Sequence, residues 1–279
     1  GVRRSSMTTL AACADTVLRT PNIPDKAVMT RKFVAAWRSG EVSEVGTAEP
    51  PDQPEREVQV IEAGKAPRRG VGSVENRVSL LHALAHIEGY AIDLSWDIIA
   101  RWAGKVELPR EFFDDWVKVA DDEAKHFELL NSRLKELGSS YGELPGHQML
   151  WEAATMTSHS LRCRLAIVHM VHEARGLDIT PSTLKKLQHA GDTQSAAMLT
   201  TIYTEEITHV TAGMRWFTFL CDRDQVAPIE RYHRIVRRHH KGRLKPPFNV
   251  EARSQAGMSS EWYEPLVEGE HDPSACDET

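Results

Sequence analysis

Four long stretches of the chain place apolar residues at every third or fourth position, which is the repeat of an amphipathic helix. They cover residues 73–102, 109–137, 147–175 and 192–221. Ser73 is a suitable N-cap for the first stretch, and Gly138 and Gly176 are natural stops for the second and third. The alternation that marks a strand is sustained nowhere. The sequence therefore predicts an all-α fold centred on a four-helix bundle.

Further elements are predicted on both sides of this bundle. Apolar spacing predicts helices over 8–18, 24–37 and 181–189, and prolines and glycines predict a wrapping loop before the bundle. After the bundle we expect a basic helix and then a docking segment that carries Trp262 and Tyr263. The regions of this single domain are predicted as 1–72, 73–222, 223–266 and a disordered acidic tail at 267–279, with 1–6 set aside as an upstream extension.

The composition favours a cytoplasmic protein with no membrane partner. The 279 residues are 41% hydrophobic, yet no stretch approaches the roughly 20 apolar residues that a membrane-spanning helix needs. The first residues lack a secretory pattern. The four cysteines lie far apart with no C-x-x-C pair, so we predict thiols rather than disulfides. A net charge of −6 argues against a surface that is basic all over and binds nucleic acid non-specifically.

Two of the predicted helices each carry a glutamate and a histidine three positions apart. Glu123 and His126 lie on the second long helix, and Glu206 and His209 lie on the fourth. Side chains at this spacing leave a helix from one face and can bind one metal ion. Both pairs lie in apolar stripes, where a buried carboxylate is costly unless it is paired or bound to a cation. Either pair alone would also fit a solvated helix face.

The first and third long helices each add one inward glutamate, Glu88 and Glu173. Glu88 precedes Glu123 by 35 residues and Glu173 precedes Glu206 by 33, so the two halves of the bundle repeat in order and spacing. Two glutamates plus two Glu-x-x-His pairs form the ligand set of ferritin-like di-iron and di-manganese carboxylate proteins. The predicted metal ligands are therefore Glu88, Glu123, His126, Glu173, Glu206 and His209.

Four carboxylates balance the charge of two divalent transition-metal ions. Oxygen and imidazole ligands suit iron, which we predict first, and manganese, which we predict second, although zinc also fits. Paired ions can bridge an oxygen species. We therefore expect an O2-dependent oxygenase or hydroxylase in which Glu88, Glu123, Glu173 and Glu206 act through the metals on a small or nucleotide-derived substrate. A metal-oxidising or storage protein and a metal-free structural bundle are the alternatives.

Several motifs also resemble an uncharacterised ferritin-like family that is distantly similar to the tRNA hydroxylase MiaE, which modifies thiolated isopentenyl-adenosine. The resemblance covers most of residues 8–266. It rests on the segments at 80–88, 122–127, 173–178 and 205–210 and on Pro247-Phe248-Asn249 to Ala252-Arg253. It implies the bundle and the dinuclear site but no substrate. Gly89 and Tyr90 depart from related bundles, a change that would reshape the pocket.

Other polar residues give weaker predictions. His159, Arg162 and His169 precede Glu173 on the third helix within about 40° of its direction, so they either anchor a polar substrate or pair between helices. Tyr203 is a hydrogen-bond donor beside the metal ligands or a core residue. His82 and His86 would chelate a separate ion or, as we favour, hydrogen-bond inside the protein.

One segment is strongly basic. Residues 231–245 hold seven lysines or arginines and three histidines. An amphipathic helix with a solvated face is the favoured interpretation, and a patch for tRNA or a nucleotide is the alternative. We expect a monomer or a small homo-oligomer.

Overall fold

The computed structural model describes residues 8–57, 69–146 and 149–268, and over these ranges the chain forms helices and no strands. The predicted all-α class is confirmed. Every helix within these ranges is too short or too polar to span a bilayer. Residues 269–279 of the predicted disordered tail, which include Cys276, lie outside the described residues, as do the upstream extension and part of the wrapping loop. Two compact units, residues 1–151 and 152–279, make up the chain.

The first unit consists of two short and two long helices. They are α1 (Leu10–Leu18), α2 (Ile23–Ser39), α3 (Val74–Trp102) and α4 (Arg110–Glu136). The Ser73 hydroxyl accepts a hydrogen bond from the Asn76 amide at 3.2 Å and so caps α3, as predicted. Gly138 follows α4 with a φ of +82°, which a glycine adopts without strain. A short connection returns the chain from α3 to α4, so the two helices form a hairpin.

Buried charges fix α2 and the loop after it onto α3. Lys26 Nζ lies 2.5 Å from Asp93 Oδ1, and Arg56 Nη2 lies 2.5 Å from Asp93 Oδ2. The Arg56 guanidinium also lies 3.4 Å from the centre of the Tyr90 ring. Gly89 leaves room for Ile23, whose Cγ2 would be 3.1 Å from an added Cβ. Gly89 and Tyr90 therefore serve the packing of α2 and its loop.

The second unit is built around a long helix hairpin and a C-terminal cluster. Its elements are α6 (Leu161–Ala166), a π-helical turn (Ile167–His172), α7 (Glu173–His189), α8 (Thr193–Arg223), α9 (Pro228–His239), α10 (Val250–Gln255), α11 (Ser260–Tyr263) and a 3-10 turn (Glu264–Leu266), preceded by α5 (Met149–Met156). Asp192 caps α8 by accepting from the Ser195 amide at 3.0 Å. The predicted fourth long helix is confirmed as α8.

The predicted third long helix is wrong in three respects. Helix α5 ends at Met156, and a new helix begins after Ser160, whose hydroxyl accepts a hydrogen bond from the Cys163 amide at 3.3 Å. A π-helical turn follows, which places side chains differently from a continuous α-helix. Gly176 does not end the helix, because α7 runs on through Pro181, and the predicted separate helix at 181–189 is its second half.

The helix continues through Pro181 because the lost hydrogen bond is replaced. Proline has no N–H to donate to the carbonyl of Leu177, four residues earlier. The Asn249 side chain donates to that carbonyl instead, at 3.1 Å. A residue from the C-terminal segment thus completes α7, which no local sequence rule predicts.

The C-terminal segment packs on α7, α8 and α9 of the second unit. Trp262 packs edge-on against Phe217 of α8 and Tyr232 of α9, with ring centres 6.1 and 5.3 Å apart. Arg253 pairs with the buried Asp178 of α7 through two hydrogen bonds of 2.9 and 2.7 Å.

The basic segment contains an amphipathic helix, as favoured. In α9, Tyr232, Ile235 and Val236 are buried, whereas Arg234 is exposed. Because its apolar face packs in the second unit, the helix needs no nucleic acid to hold it in place.

Candidate metal centre

A first half-site, consisting of Glu88, Glu123 and His126, assembles inside the first unit. One ligand atom from each of these residues lies within 4.8 Å of the others. His126 Nδ1 lies 3.2 Å from Glu123 Oε2 and 3.8 Å from Glu88 Oε2. All three predicted ligands from this half of the chain therefore converge on one point.

The helix pattern around these residues explains their burial. Ala120, Ala124 and Phe127 of α4 are at most 1% exposed, and they flank Glu123 and His126 on the same face. Glu123 itself is 1% exposed and His126 is 0% exposed. Glu88 comes from the facing helix α3. Two carboxylates side by side in apolar surroundings repel each other, and a bound cation would remove that repulsion.

A second half-site, predicted as Glu173, Glu206 and His209, belongs to the second unit. His209 Nδ1 lies 3.2 Å from Glu206 Oε2, the same separation as in the first half-site. His209 is buried, and Glu206 is 15% exposed at its side chain. Glu173 is the first residue of α7, directly after the π-helical turn, and is half-buried. Each unit thus supplies one Glu-x-x-His pair with matching internal geometry.

The close approach of α8 to the π-helical turn depends on Gly213. A Cβ at this position would collide with the backbone carbonyl of His169 and lie 3.2 Å from Met170 Cγ. Gly213 follows His209 by one helical turn, and His169 precedes Glu173 by the same number of residues. The glycine therefore lets the two ligand-bearing segments of this unit pack backbone to backbone.

The donor set of each half-site fits a divalent transition ion. Carboxylate oxygens and imidazole nitrogens suit iron, manganese and zinc. In both Glu-x-x-His pairs the Nδ1 atom faces the carboxylate, which makes Nδ1 the nitrogen available to a shared ion. Glu123 and His126 are almost fully buried, so an ion bound to them would be shielded from bulk water.

His82 and His86 hydrogen-bond within the first unit, in agreement with the favoured interpretation. His82 Nε2 accepts from the backbone amides of Gly142 and Leu144 at 3.0 and 3.4 Å. His86 Nδ1 lies 2.9 Å from the Tyr141 hydroxyl. Burial lowers the pKa of His82 to about 4, while the charge of Glu143 opposes this shift. Burial also raises the pKa of Tyr141 above its ordinary value.

The predicted polar line of His159, Arg162 and His169 does not form, because the segment is not one α-helix. Arg162 forms an ion pair with Asp224, which agrees with the interhelical alternative. His169 is buried in the π-helical turn. His159 is exposed in the turn before α6, and its ring centre lies 5.4 Å from that of His239.

Tyr203 connects to the C-terminal segment. Its hydroxyl oxygen accepts a hydrogen bond from Asn249 Nδ2 at 2.6 Å. Asn249 also accepts from the Ala252 amide at 3.1 Å and so caps α10. A structural role in holding this segment therefore accounts for Tyr203.

The buried ion pairs of Asp93 in the first unit and Asp178 in the second were not predicted from the sequence. Both carboxylates lie in core-facing positions, which was the available signal. Their partners could not be found from local spacing, because Lys26 lies 67 residues from Asp93 and Arg253 lies 75 residues from Asp178. Burial lowers the pKa of Lys26, against the opposing charge of Asp93.

Fold and site together define an all-helical protein with carboxylate–imidazole pairs in its core. Comparison with known proteins shows that the chain belongs to the family described as "Protein of unknown function (DUF455)", which matches residues 19–264. An uncharacterised protein of Haemophilus influenzae is 36% identical over 197 residues, which is 69% of this chain and 68% of that protein. No solved structure matches the chain. The predicted membership of an uncharacterised family is confirmed, and the relation to the tRNA hydroxylase stays a prediction.

Proposed function

We propose that the two half-sites together bind two divalent transition ions, iron first, in a ferritin-like bundle, and that the protein is an O2-dependent oxygenase. The convergence of buried Glu88, Glu123 and His126 carries the proposal. The second Glu-x-x-His pair supports it, because its acid–imidazole separation is the same 3.2 Å. Four carboxylates would neutralise two divalent ions, so the centre would carry little net charge in the protein interior.

The residues of the chain have distinct roles in this proposal. Glu88, Glu123, Glu173 and Glu206 would bind or bridge the ions, and His126 and His209 would each bind one. The apolar flank of Ala120, Ala124 and Phe127 excludes water and so strengthens electrostatic interactions at the ligands. A pair of reduced ions would supply two electrons to O2, and a substrate C–H bond would supply the other two during hydroxylation.

Metal analysis of protein purified without added metal tests the proposal directly. We expect about two iron or manganese ions per chain, as in other two-metal centres. The variants Glu123→Gln and Glu206→Gln should each lose metal, because an amide is a poor replacement for an anionic ligand. Glu111→Gln is the matched control, since Glu111 is an exposed glutamate in the same helix as Glu123. Fewer than about one iron or manganese ion per chain in the wild-type protein would contradict the proposal.

Oxygen uptake separates the oxygenase from the alternatives. Ferrous protein should consume O2, and Glu123→Gln should abolish this uptake while Glu111→Gln retains it. Sustained O2-dependent oxidation of added Fe(II) by a large assembly would instead indicate a metal-oxidising or storage protein. If the protein folds but shows no metal-dependent O2 uptake, the structural-bundle alternative is favoured.

The proposed substrate is a small molecule or a nucleotide-derived group. The largest substrate of the second kind would be a tRNA that carries this group. If tRNA is bound, its phosphates would be contacted by exposed basic side chains, namely Arg234, Lys241 and Arg243. Retention of tRNA should then fall with added salt and after these three residues are replaced by serine. No retention at low salt would limit the substrate to small molecules.

A further inference from the structure

We infer that His159, Cys163 and His239 form a second, separate metal site that binds one Zn(II) ion. The three side chains lie within the second unit, and their nearest ligand atoms all lie within 4.8 Å of one another. Sulfur and two imidazole nitrogens are the ligands that Zn(II) prefers, whereas the carboxylate half-sites offer only oxygen and nitrogen. This site would therefore select a different ion.

The distances suit a tetrahedral zinc ion. Cys163 Sγ lies 3.7 Å from His239 Nε2. Usual Zn–S and Zn–N bond lengths place two such ligands about 3.6 Å apart around a tetrahedral ion. The two imidazole rings lie 5.4 Å apart between centres at an interplanar angle of 42°, so they approach from different directions. An ion placed between Cys163 and His239 would also lie near a ring nitrogen of His159, since the three ligand atoms lie within 4.8 Å of one another.

Burial differs between the three ligands in a way that fits this role. Cys163 is buried at 2% exposure, His239 is half-buried, and His159 is exposed. A thiolate and two neutral imidazoles would leave the zinc complex with one positive charge. The exposed side of the cluster leaves room for water as a fourth ligand, the usual arrangement when zinc has three protein ligands.

The site would join two elements of the second unit. His159 and Cys163 belong to the turn before α6 and to α6 itself, and His239 is the last residue of α9. A zinc ion bound to these residues would fasten the end of this basic helix to α6. Zinc should therefore stabilise the native state, since it binds residues brought together only by folding.

Anaerobic titration of the chelated, reduced full-length chain with Co(II) tests the site. A Cys276→Ser background removes the tail thiol, which lies outside the described residues. A thiolate–cobalt charge-transfer band in the near ultraviolet should appear, saturate at one ion per chain and disappear when Zn(II) is added. The carboxylate centre has no sulfur ligand, so Glu123→Gln should keep this band even if it loses the other ions.

Matched variants assign the ligands. In that background Cys163→Ser should abolish the band, and Cys221→Ser, which changes another buried thiol of the same unit, should keep it. His159→Ala should weaken Co(II) binding by more than about tenfold. Because His159 is exposed, this variant remains informative even if Cys163→Ser fails to fold. Absence of the band in the parent, or unchanged Co(II) affinity in His159→Ala, would overturn the inference and leave a hydrogen-bonded cluster.

Discussion

Gly213 is the residue at which a single added methyl group should be most costly in the second unit. In Gly213→Ala the new Cβ would overlap the backbone carbonyl of His169, and backbone cannot move aside as a flexible side chain can. We expect the free energy of unfolding to fall by about 1–3 kcal/mol, the usual cost of overpacking. Urea unfolding followed by circular dichroism measures this change.

Gly176 provides the matched control for Gly213. It lies inside α7, and a Cβ there would meet no atom within 4 Å. Gly176→Ala should therefore raise the free energy of unfolding by about 0.5–1 kcal/mol, because alanine loses less conformational entropy in a helix. Equal stability of the two variants would show that Gly213 is not a close-contact position.

His82 makes the stability of the first unit depend on pH. Its pKa is about 4 in the folded protein and about 6.5 in an unfolded chain. Between these pH values the unfolded chain binds a proton at this residue that the folded protein does not bind. The contribution of neutral His82 to the free energy of unfolding is therefore complete above about pH 6.5 and is lost as the pH falls toward 4. Protonation would also remove the acceptor used by the amides of Gly142 and Leu144.

His82→Gln tests this dependence, because its side-chain oxygen can accept from the same amides but does not titrate. We expect urea midpoints to fall less between about pH 6.5 and about pH 4.5 in the variant than in the wild-type protein, since up to about 1.4 kcal/mol is at stake for each pH unit. Glu143 is present in both proteins, and its charge acts on His82 in the wild-type protein only, where it opposes the effect of burial. Parallel pH profiles would contradict the assignment.

At the scale of elements, the Asp178–Arg253 pair joins α7 to α10. Both side chains are almost fully buried, at 1% and 4% exposure. In Asp178→Asn the Arg253 charge would stay buried without its counter-charge, and we expect a loss of about 3–5 kcal/mol in the free energy of unfolding. Limited proteolysis should also cut the C-terminal segment faster.

Asp15→Asn is the control for this prediction. Asp15 pairs with Arg19 across one turn of α1, where Arg19 is 49% exposed. Removing an exposed pair of this kind should change the free energy of unfolding by less than about 1 kcal/mol. If the two substitutions cost the same, the Asp178 pair contributes no more than an ordinary surface pair.

The elements that the sequence predicted well are those that local chemistry defines. The bounds of α3, α4 and α8 follow from apolar spacing and from Ser73, Gly138 and Asp192 at their ends. The third helix was predicted incorrectly because distant contacts override local signals there. Asn249, which lies in the C-terminal segment, donates the hydrogen bond that Pro181 cannot donate. Gly213 of α8 leaves room for the backbone of the π-helical turn.

The candidate site was predictable to a similar degree. The i, i+3 pairs were recognised because both members lie on one helix, and each pair has its acid and imidazole 3.2 Å apart. Glu88 was recognised because a carboxylate interrupts an apolar face. The cluster of His159, Cys163 and His239 could not be predicted, since 76 residues separate Cys163 from His239.

At the scale of the whole molecule, metal binding by the proposed centre should raise the thermal stability of the chain. A ligand that binds only the folded state at about 100 times its dissociation constant adds about 2.7 kcal/mol. In a protein of this size each kcal/mol corresponds to roughly 2–4 °C in Tm. We therefore expect anaerobic Fe(II) or Mn(II) to raise the Tm of chelated protein by several degrees.

Variants in each half-site show whether the two act as one centre. If they share two ions, Glu123→Gln and Glu206→Gln should each remove most of the metal-induced rise in Tm, and the double variant should remove little more. Residues that act independently would instead give additive losses, because uncoupled effects add. Glu111→Gln should retain the full rise. Additive losses would indicate two mononuclear sites rather than a dinuclear centre. The proposed oxygenase would then lack a pair of ions that supplies two electrons to O2.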